Sequence, residues 1–111
     1  SESLAKALLA LGLNVNFAPV VDTLYEQSDD CLGDRAFAKD PKAVALRAGA
    51  FLKGLQKQGV AGCLKHFPGL GSISVDTHYD GAQTQIDFES LWKKDLQPFV
   101  TLLLPDIPEI P

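Results

Sequence analysis

Two short apolar segments on either side of an amphipathic helical pattern constrain the fold most. The first segment, NVNFAPVVD, covers residues 14–22, and the second, VAGCL, covers residues 60–64. The first has the apolar density expected of a strand that is covered on both faces in a parallel sheet, and the second is typical of a short buried strand. Because parallel strands need a long crossover between them, usually a helix, the pattern predicts a right-handed βαβ unit.

The crossover helix has clear start and stop signals. Asp40 suits the N-cap, Pro41 suits the first helical position, and Gly59 follows the end of the pattern. Its apolar stripe consists of Val44, Ala48, Phe51, Leu52 and Leu55, and its wet face carries Lys42, Arg47, Lys53 and Lys57. We therefore expect this helix to cover the sheet.

Two further helices are predicted, one at each end of the chain. Leucines recur at helical spacing in residues 1–11, and Gly12 follows where a left-handed C-terminal cap is expected. A last helical stretch starts near Asp87, with Trp92 expected in the core, and Pro98 is expected to stop or kink it. The order of elements predicts an α/β fold with parallel strands.

Composition and charge exclude several classes of partner. Of the 111 residues, 46% are hydrophobic and 22% are charged, which is typical of one soluble globular domain. The formal net charge is -4, so no overall basic field attracts nucleic acid or an anionic membrane. No segment reaches the roughly 18 apolar residues that a membrane span needs.

Cys31 and Cys63 form no CxxC pair, so we expect reduced thiols and a cytoplasmic protein.

Two polar loops follow the predicted strands. Residues 22–40 follow the first strand, and residues 66–86 follow the second. The carboxyl ends of parallel strands meet at one edge of a sheet, and this edge carries the ligand in α/β folds. The sequence therefore predicts that the two loops meet, with Asp22 acting mainly as a structural hydrogen-bonding partner.

The second loop contains both histidines of the chain, in the motifs KHFPG and DTH. Residues two apart in an extended loop project to the same side, so Asp76 can hold the imidazole of His78 in one tautomer. The carboxylate also favours the charged ring, which is a competent general acid near neutral pH. Lys65 and His66 can enter one site only where the strand ends or bulges, and Pro68 favours an end there.

The glycines of this loop are expected to give it mobility. Gly69 and Gly71 follow Pro68, and residues without a Cβ allow a loop to swing over a ligand and back. The loop is therefore interpreted as a catalytic lid.

The motifs NFAPVVD, GDRAFAKDP, LKGLQKQGVAG, KHFPG and DTH occur in this order, and together they resemble glycoside hydrolase family 3. The resemblance is strongest to its β-N-acetylglucosaminidases of the NagZ type, and it covers nearly the whole chain. It implies that residues 1–111 are one partial N-terminal domain, a fragment of a (β/α)8 TIM-type barrel with about three βα units. We therefore expect these residues to be a piece of a longer chain.

The resemblance implies a role for each candidate residue. Arg35, Lys65 and His66 would bind the hydroxyls of the terminal sugar, and Asp76 with His78 would form the acid/base dyad. Family members of this type hydrolyse terminal β-linked N-acetylglucosamine with retention, in peptidoglycan recycling, through an aspartate nucleophile that is expected outside this chain. The implied partners are an N-acetylglucosamine-containing saccharide and the remainder of the barrel, with no metal and no cofactor.

Structural alternatives exist for these residues. Arg35 is also suited to a surface ion pair with Asp34 or Asp40, because such pairs are common. Lys65 and His66 also fit a lysine that extends to solvent and a histidine that packs in the core. The DTH segment also fits a solvated turn.

One position departs from the family pattern. The N-acetylglucosaminidases usually have KHFPGHG, and this chain has KHFPGLG, with Leu70 in place of the second histidine. The change removes a polar group from the base of the loop. A β-glucosidase-like member of the same family is therefore an alternative.

Three other functions are alternatives, and the sequence counts against the first two. A phosphate-binding loop at Lys65 and GLGS lacks the GxxxxGK[ST] order. A metal site formed by His66, His78 and Asp76 lacks a fourth ligand and has the charge of Lys65 beside it. A non-catalytic fragment or carbohydrate-binding module is the third alternative, because a third of a barrel leaves sheet edges unpaired.

Overall fold

The computed structural model of the chain describes residues 1–25, 32–71 and 86–104, which form a small α/β unit around two parallel strands. Its elements are helix α1 (Glu2–Ala10), strand β1 (Val15–Asn16), a 3-10 helix (Gly33–Arg35), helix α2 (Pro41–Gln56), strand β2 (Ala61–Gly62), helix α3 (Phe88–Lys93) and helix α4 (Gln97–Leu103). The parallel pairing of β1 with β2, on either side of α2, confirms the predicted βαβ order.

The pairing of the two strand segments continues beyond the ends of β1 and β2. The N–H of Cys63 donates to the carbonyl of Ala18 at 2.9 Å, and a parallel bridge joins Val20 to Lys65. Three peptide bonds in this region are cis, namely Ala18–Pro19, Lys65–His66 and Phe67–Pro68. The extended pairing brings the carboxyl ends of both apolar segments side by side.

One face of the first apolar segment is not covered within the described residues. Val15 is 50% exposed and Phe17 is 72% exposed, whereas Val20 and Val21 are buried. Helix α2 packs against β2, and the described part of the chain supplies no second layer over β1. Within the described residues, Val15 and Phe17 therefore lack the cover on both faces that the sequence predicts.

Helix α2 begins as the sequence predicts. The side chain of Asp40 accepts a hydrogen bond from the N–H of Ala43 at 2.9 Å, and Pro41 is the first helical residue. The predicted apolar stripe faces inward, with Val44, Ala48 and Leu55 buried and Phe51 and Leu52 half-buried. The four basic residues predicted to face water are all exposed.

Helix α2 joins both parts of the apolar core. One cluster connects the end of the first apolar segment, α2 and α4, and it consists of Val21, Val44, Ala48 and Phe99. The other connects α1, α2 and the start of the second apolar segment, and it consists of Ala5, Leu55 and Val60. Burial on one helix therefore holds α1, the strands and α4 in fixed positions.

The last helical stretch is divided into two helices. The predicted start near Asp87 is confirmed, and the Asp87 carboxylate caps α3 by accepting a hydrogen bond from a backbone N–H three residues on. The break falls at residues 94–96, and Pro98 lies in the first turn of α4, where the missing N–H of proline is tolerated. The expectation that Pro98 itself ends the helix is wrong. Trp92, expected in the core, is only half-buried.

In the described ranges, no helix has the length and apolar character that crossing a bilayer requires. Cys63 is an exposed free thiol. Cys31 lies outside the residues that the structure describes.

Replacing Asp40 with alanine is expected to lower the free energy of unfolding by about 1 kcal/mol, because α2 loses a side-chain acceptor for one of its first N–H groups. Asp40→Asn keeps an acceptor oxygen and should lower it by less than about 0.5 kcal/mol. Urea unfolding followed by far-ultraviolet circular dichroism measures both. Equal losses would mean that the charge of Asp40, rather than its hydrogen bond, supports the helix.

Candidate functional site

Asp22 lies fully buried at the carboxyl end of the first apolar segment and binds donors from the second. The backbone N–H of His66 lies 3.1 Å from its Oδ2, and Nδ1 of His66 lies 2.7 Å from the same oxygen. The N–H of Leu70 donates to Oδ1 at 2.8 Å. Because a carboxylate only accepts hydrogen bonds, these donors must all point at Asp22. The predicted role of Asp22 as a structural partner is confirmed.

The contact with Asp22 sets the tautomer of His66. Since the carboxylate cannot donate, Nδ1 of His66 carries a hydrogen, and Nε2 is the ring atom left to bind a ligand. The His66 side chain is 30% exposed, while that of Asp22 is inaccessible. His66 therefore presents an oriented imidazole that solvent reaches.

Lys65 reaches the same edge through its backbone. Its N–H donates to the carbonyl of Pro19 at 3.2 Å, and its carbonyl accepts from the N–H of Val21 at 2.7 Å. Beyond this pairing the chain leaves the sheet. The predicted end of the strand at Lys65 and His66 is confirmed.

Leu70 supports the site with its backbone. Its hydrogen bond to Asp22 uses the N–H group, which every residue except proline supplies. The replacement of the family's second histidine by leucine therefore leaves this anchor in place. The Leu70 side chain is half-buried.

A second polar pair, which the sequence did not reveal, lies beside the same turn. The hydroxyl of Tyr25 donates to Oδ2 of Asp95 at 3.0 Å, and Asp95 is fully buried between α3 and α4. The Nζ of Lys94 lies 5.2 Å from the centre of the Tyr25 ring, within cation–π distance. The sequence signal near Asp95 was the break in the helical pattern before Pro98. This break did not indicate that Asp95 would contact Tyr25.

The surroundings of this pair favour neutral groups. Burial raises the pKa of Asp95, the hydrogen bond from Tyr25 acts in the opposite direction, and the charge of Asp22 raises it further. Burial and the nearby Asp95 carboxylate raise the pKa of Tyr25. The negative charge of Asp22 therefore affects the pKa of Asp95 on the other side of the turn.

The two loops meet as predicted for the part of them that is described. Residues 20–25 pack against residues 65–71 through the bridge at Lys65, the bonds to Asp22 and the close approach of Gly71 to Thr23. The expected reason for the glycines needs correction: Gly71 has no room for a side chain, so close packing requires it there.

Arg35 lies exposed at the end of the 3-10 helix, and its Nε donates to the carbonyl of Leu32 at 3.2 Å. The grouping of Arg35 with Lys65 and His66 stays a prediction. Asp76 and His78 lie in the segment 72–85, outside the described residues, so their pairing also stays a prediction. Among residues 1–25, 32–71 and 86–104, no three His, Cys, Asp or Glu side chains are grouped to hold a metal ion.

Two parallel strands whose carboxyl ends share a buried acid and an oriented imidazole define an α/β unit, and this edge is the one at which α/β folds bind ligands. Residues 1–107 match the glycosyl hydrolase family 3 N-terminal domain, and the chain belongs to this family.

Similar proteins of known sequence are named β-hexosaminidases. That of Hydrogenovibrio crunogenus is 43% identical over 100 residues, which cover 90% of this chain and 28% of that protein. β-Hexosaminidase LpqI of Mycobacterium tuberculosis is 44% identical over 93 residues, which cover 84% of this chain and 24% of that protein. The chain therefore spans less than a third of the length of these relatives.

Solved structures of homologues have the same backbone arrangement. NagZ from Neisseria gonorrhoeae, in complex with N-trifluoroacetyl-D-glucosamine, matches with a TM-score of 0.80 and 38% identity, covering 86% of this chain and 28% of that one. Zinc-bound CbsA from Thermotoga neapolitana matches with a TM-score of 0.85 and 39% identity, covering 91% of this chain and 22% of that one. The small α/β unit is thus homologous to part of these longer chains.

Asp22→Asn is expected to lower the free energy of unfolding by about 1.5–3 kcal/mol, because the amide turns a donor toward other buried donors and leaves one unpaired. Chemical unfolding measures the change. Glu89→Gln is the matched control: Glu89 is exposed and pairs with Lys93 on the surface of α3, so the loss should stay below about 0.5 kcal/mol. Similar small losses in both variants would mean that the bonds to Asp22 do not hold this edge together.

Asp95→Asn should change the dependence of stability on pH. The raised pKa of Asp95 means that the folded protein favours the neutral carboxyl. The associated stability is present below the unfolded pKa of about 3.9 and is lost as pH rises through the raised value. The asparagine variant avoids that loss, so its melting temperature relative to the wild type should rise between pH 4 and pH 8.

Asp87→Asn is the control for this experiment. Hydrogen bonds from the backbone and hydroxyl of Ser90 lower the pKa of Asp87. The stability from Asp87 is therefore present above about pH 3.9 and is lost only as pH falls through the lowered value. The difference between this variant and the wild type should hardly change between pH 4 and pH 8. A constant difference for Asp95→Asn over the same range would contradict the burial of an ionising group at that position.

Proposed function

We propose that the protein containing residues 1–111 is a glycosidase that removes terminal β-linked N-acetylglucosamine with retention of configuration. The observation that carries the proposal is the Asp22–His66 pair, which orients an imidazole beside Lys65 at the edge where α/β folds bind ligands. The names of the similar β-hexosaminidases support the reaction. The complex of the Neisseria gonorrhoeae relative with N-trifluoroacetyl-D-glucosamine supports the sugar class.

Residues 1–111 are proposed to contribute about three βα units of a (β/α)8 barrel. The parallel pairing of β1 with β2 supports this, because barrels of this type contain parallel strands only. The exposure of Val15 and Phe17 supports it as well, since additional elements of a barrel would cover them. The remaining units would come from the rest of the protein.

The terminal sugar is bound by Lys65, His66 and Arg35 in this proposal. The ammonium of Lys65 and the planar guanidinium of Arg35 donate to hydroxyl oxygens, while Nε2 of a neutral His66 accepts from a hydroxyl. Because Asp22 already orients His66, the ring loses little freedom when the sugar binds. The three side chains would then fix the sugar for the chemical step.

Asp76 and His78 act as the acid/base dyad of the proposed reaction. In the first step an aspartate elsewhere in the protein bonds to the anomeric carbon, while charged His78 gives its proton to the departing oxygen. In the second step His78 takes a proton from water, the water oxygen bonds to the anomeric carbon, and the aspartate leaves. Two inversions give net retention.

A β-glucosidase-like specificity is the second candidate. It is favoured by Leu70, which places an apolar side chain where the N-acetylglucosaminidases usually have a histidine. The backbone anchor at this position is unaffected, so the difference concerns what the base of the site can bind. For the first candidate, we propose peptidoglycan recycling in the cytoplasm as the setting.

The full-length protein is expected to hydrolyse p-nitrophenyl N-acetyl-β-glucosaminide, and His78→Ala should lower kcat by roughly 10²- to 10⁴-fold, because the water of the second step loses its general base. Release of nitrophenolate measures the rate. Faster hydrolysis of p-nitrophenyl β-glucoside would favour the second candidate.

Thr77→Ala is the control for His78→Ala. In the extended loop that the sequence predicts for residues 76–78, neighbours point to opposite sides, so this variant should keep a rate close to that of the wild type. An unchanged rate in His78→Ala would remove His78 from the mechanism. Absence of hydrolysis of both aryl glycosides by the wild type would refute the proposed function.

A further inference from the structure

The turn at Gly69–Gly71 is held by contacts in addition to those with Asp22. A Cβ at Gly69 would lie 2.5 Å from the Cβ of Asp95, and a Cβ at Gly71 would lie 2.0 Å from the carbonyl oxygen of Thr23. The same Cβ at Gly71 would lie 2.8 Å from the ring of Tyr25. All three separations are shorter than carbon atoms tolerate without a shift. The turn therefore lies in direct contact with Tyr25 and Asp95.

Tyr25 and Asp95 are themselves tied together across the molecule. Their hydrogen bond of 3.0 Å joins the loop after the first strand to the connection between α3 and α4. Asp95 is fully buried, and among the described residues its Oδ1 has no hydrogen-bond partner. An apolar pair would fill this space without the cost of burying a carboxyl group. What the Tyr25–Asp95 pair supplies, and an apolar pair would not, is a directional hydrogen bond.

A short series of contacts links this pair to His66. Asp95 touches Gly69, the next residue Leu70 donates its N–H to Asp22, and Asp22 binds both the backbone and the ring of His66. Each link joins groups that are buried or half-buried, where displacement of one requires displacement of the next. The position of Asp95 therefore constrains the position of the imidazole.

We infer that Tyr25 and Asp95 form a clamp that fixes the Gly69–Gly71 turn and thereby positions His66 for the bound saccharide. The two residues are positioning residues, because they act through the turn and Asp22. The inference depends on the proposed function for the identity of the ligand, and on the geometry alone for the clamp. It deepens that function by adding residues that determine how well the sugar is bound.

Tyr25→Phe in the full-length protein tests the clamp with minimal change in shape. The phenyl ring keeps the packing against Gly71, and the hydroxyl group that donates to Asp95 is lost. Since the sugar contacts of His66 exist before and during the reaction, their misplacement should raise KM for the aryl glycoside about 5- to 50-fold, with kcat changed less than about threefold. An unchanged KM would overturn the inference.

Two substitutions of Asp95 separate the hydrogen bond from general stability. Asp95→Ala removes the acceptor and should raise KM at least as much as Tyr25→Phe. Asp95→Asn keeps an acceptor for the Tyr25 hydroxyl and should keep KM within about threefold of the wild type. Equal KM values in the alanine and asparagine variants would show that the bond has no positioning role.

Gly69→Ala and Gly59→Ala form a matched pair. Both glycines have positive φ, 136° at Gly69 and 86° at Gly59, so both substitutions strain the backbone. Only at Gly69 would the new Cβ overlap Asp95, because the space around Gly59 is open to 4 Å. Both variants should lose thermal stability, and only Gly69→Ala should raise KM. A similar rise in both would assign the effect to stability alone and contradict the clamp.

Hydrogen exchange tests the clamp without any substrate. The N–H of Leu70 is held by buried Asp22, so its exchange should be at least about tenfold faster in Tyr25→Phe than in the wild type. The N–H of Val44, in the first turn of α2, serves as the internal reference and should not change. Inactivity of the wild type together with faster exchange at Leu70 would refute the proposed function and retain the clamp. Unchanged exchange at Leu70 would refute the clamp whatever the activity.

Discussion

The hydrogen bonds to the buried carboxylate of Asp22 are the interaction on which the polar edge depends. The backbone pairing of Cys63 and Lys65 with residues 18–21 stops at Lys65, and the bonds to Asp22 continue this link to His66 and Leu70. Because Asp22 is buried, the loss of any donor leaves a carboxylate oxygen without a hydrogen bond in a region that water does not reach, which costs free energy of folding. One side chain thereby sets the path of the turn, the orientation of His66 and the separation of the two loops.

The apolar framework explains why Asp22 can be held so rigidly. It follows Val21, which packs against Val44, Ala48 and Phe99 from α2 and α4. A carboxylate next to this cluster has little freedom to move toward solvent. The N–H groups of His66 and Leu70 must therefore lie beside it to form their hydrogen bonds. The polar edge is therefore a consequence of how α2 packs.

Two acidic side chains, Asp22 and Asp95, are buried close enough for one to raise the pKa of the other. Such an arrangement is unfavourable for stability, and the structure offsets it differently at each position. Asp22 receives charge-assisted bonds from His66 and from backbone donors, while Asp95 receives one bond from Tyr25 and favours the neutral form. Both carboxyl groups thereby contribute directional bonds at one turn, which apolar side chains of similar size would not supply.

Local features of the chain could be predicted from the sequence because they depend on neighbouring residues alone. The cap at Asp40 needs only a carboxylate three residues before a free N–H, and the buried stripe of α2 needs only helical spacing. The role of Asp22 and the meeting of the two loops followed from one further rule, that parallel strands end at the same edge. The family resemblance supplied the roles of Arg35 and of the DTH segment, which the described residues do not test.

Only the tertiary structure decided which distant groups meet. Tyr25 and Asp95 are 70 residues apart, and no periodicity or spacing couples them. The same holds for Gly71, whose lack of a side chain is required by the carbonyl of Thr23 rather than by mobility, and for the bare face of β1 at Val15. Sequence patterns report the preferences of a segment for its own conformation, whereas contacts of this kind depend on where packing places the other segments.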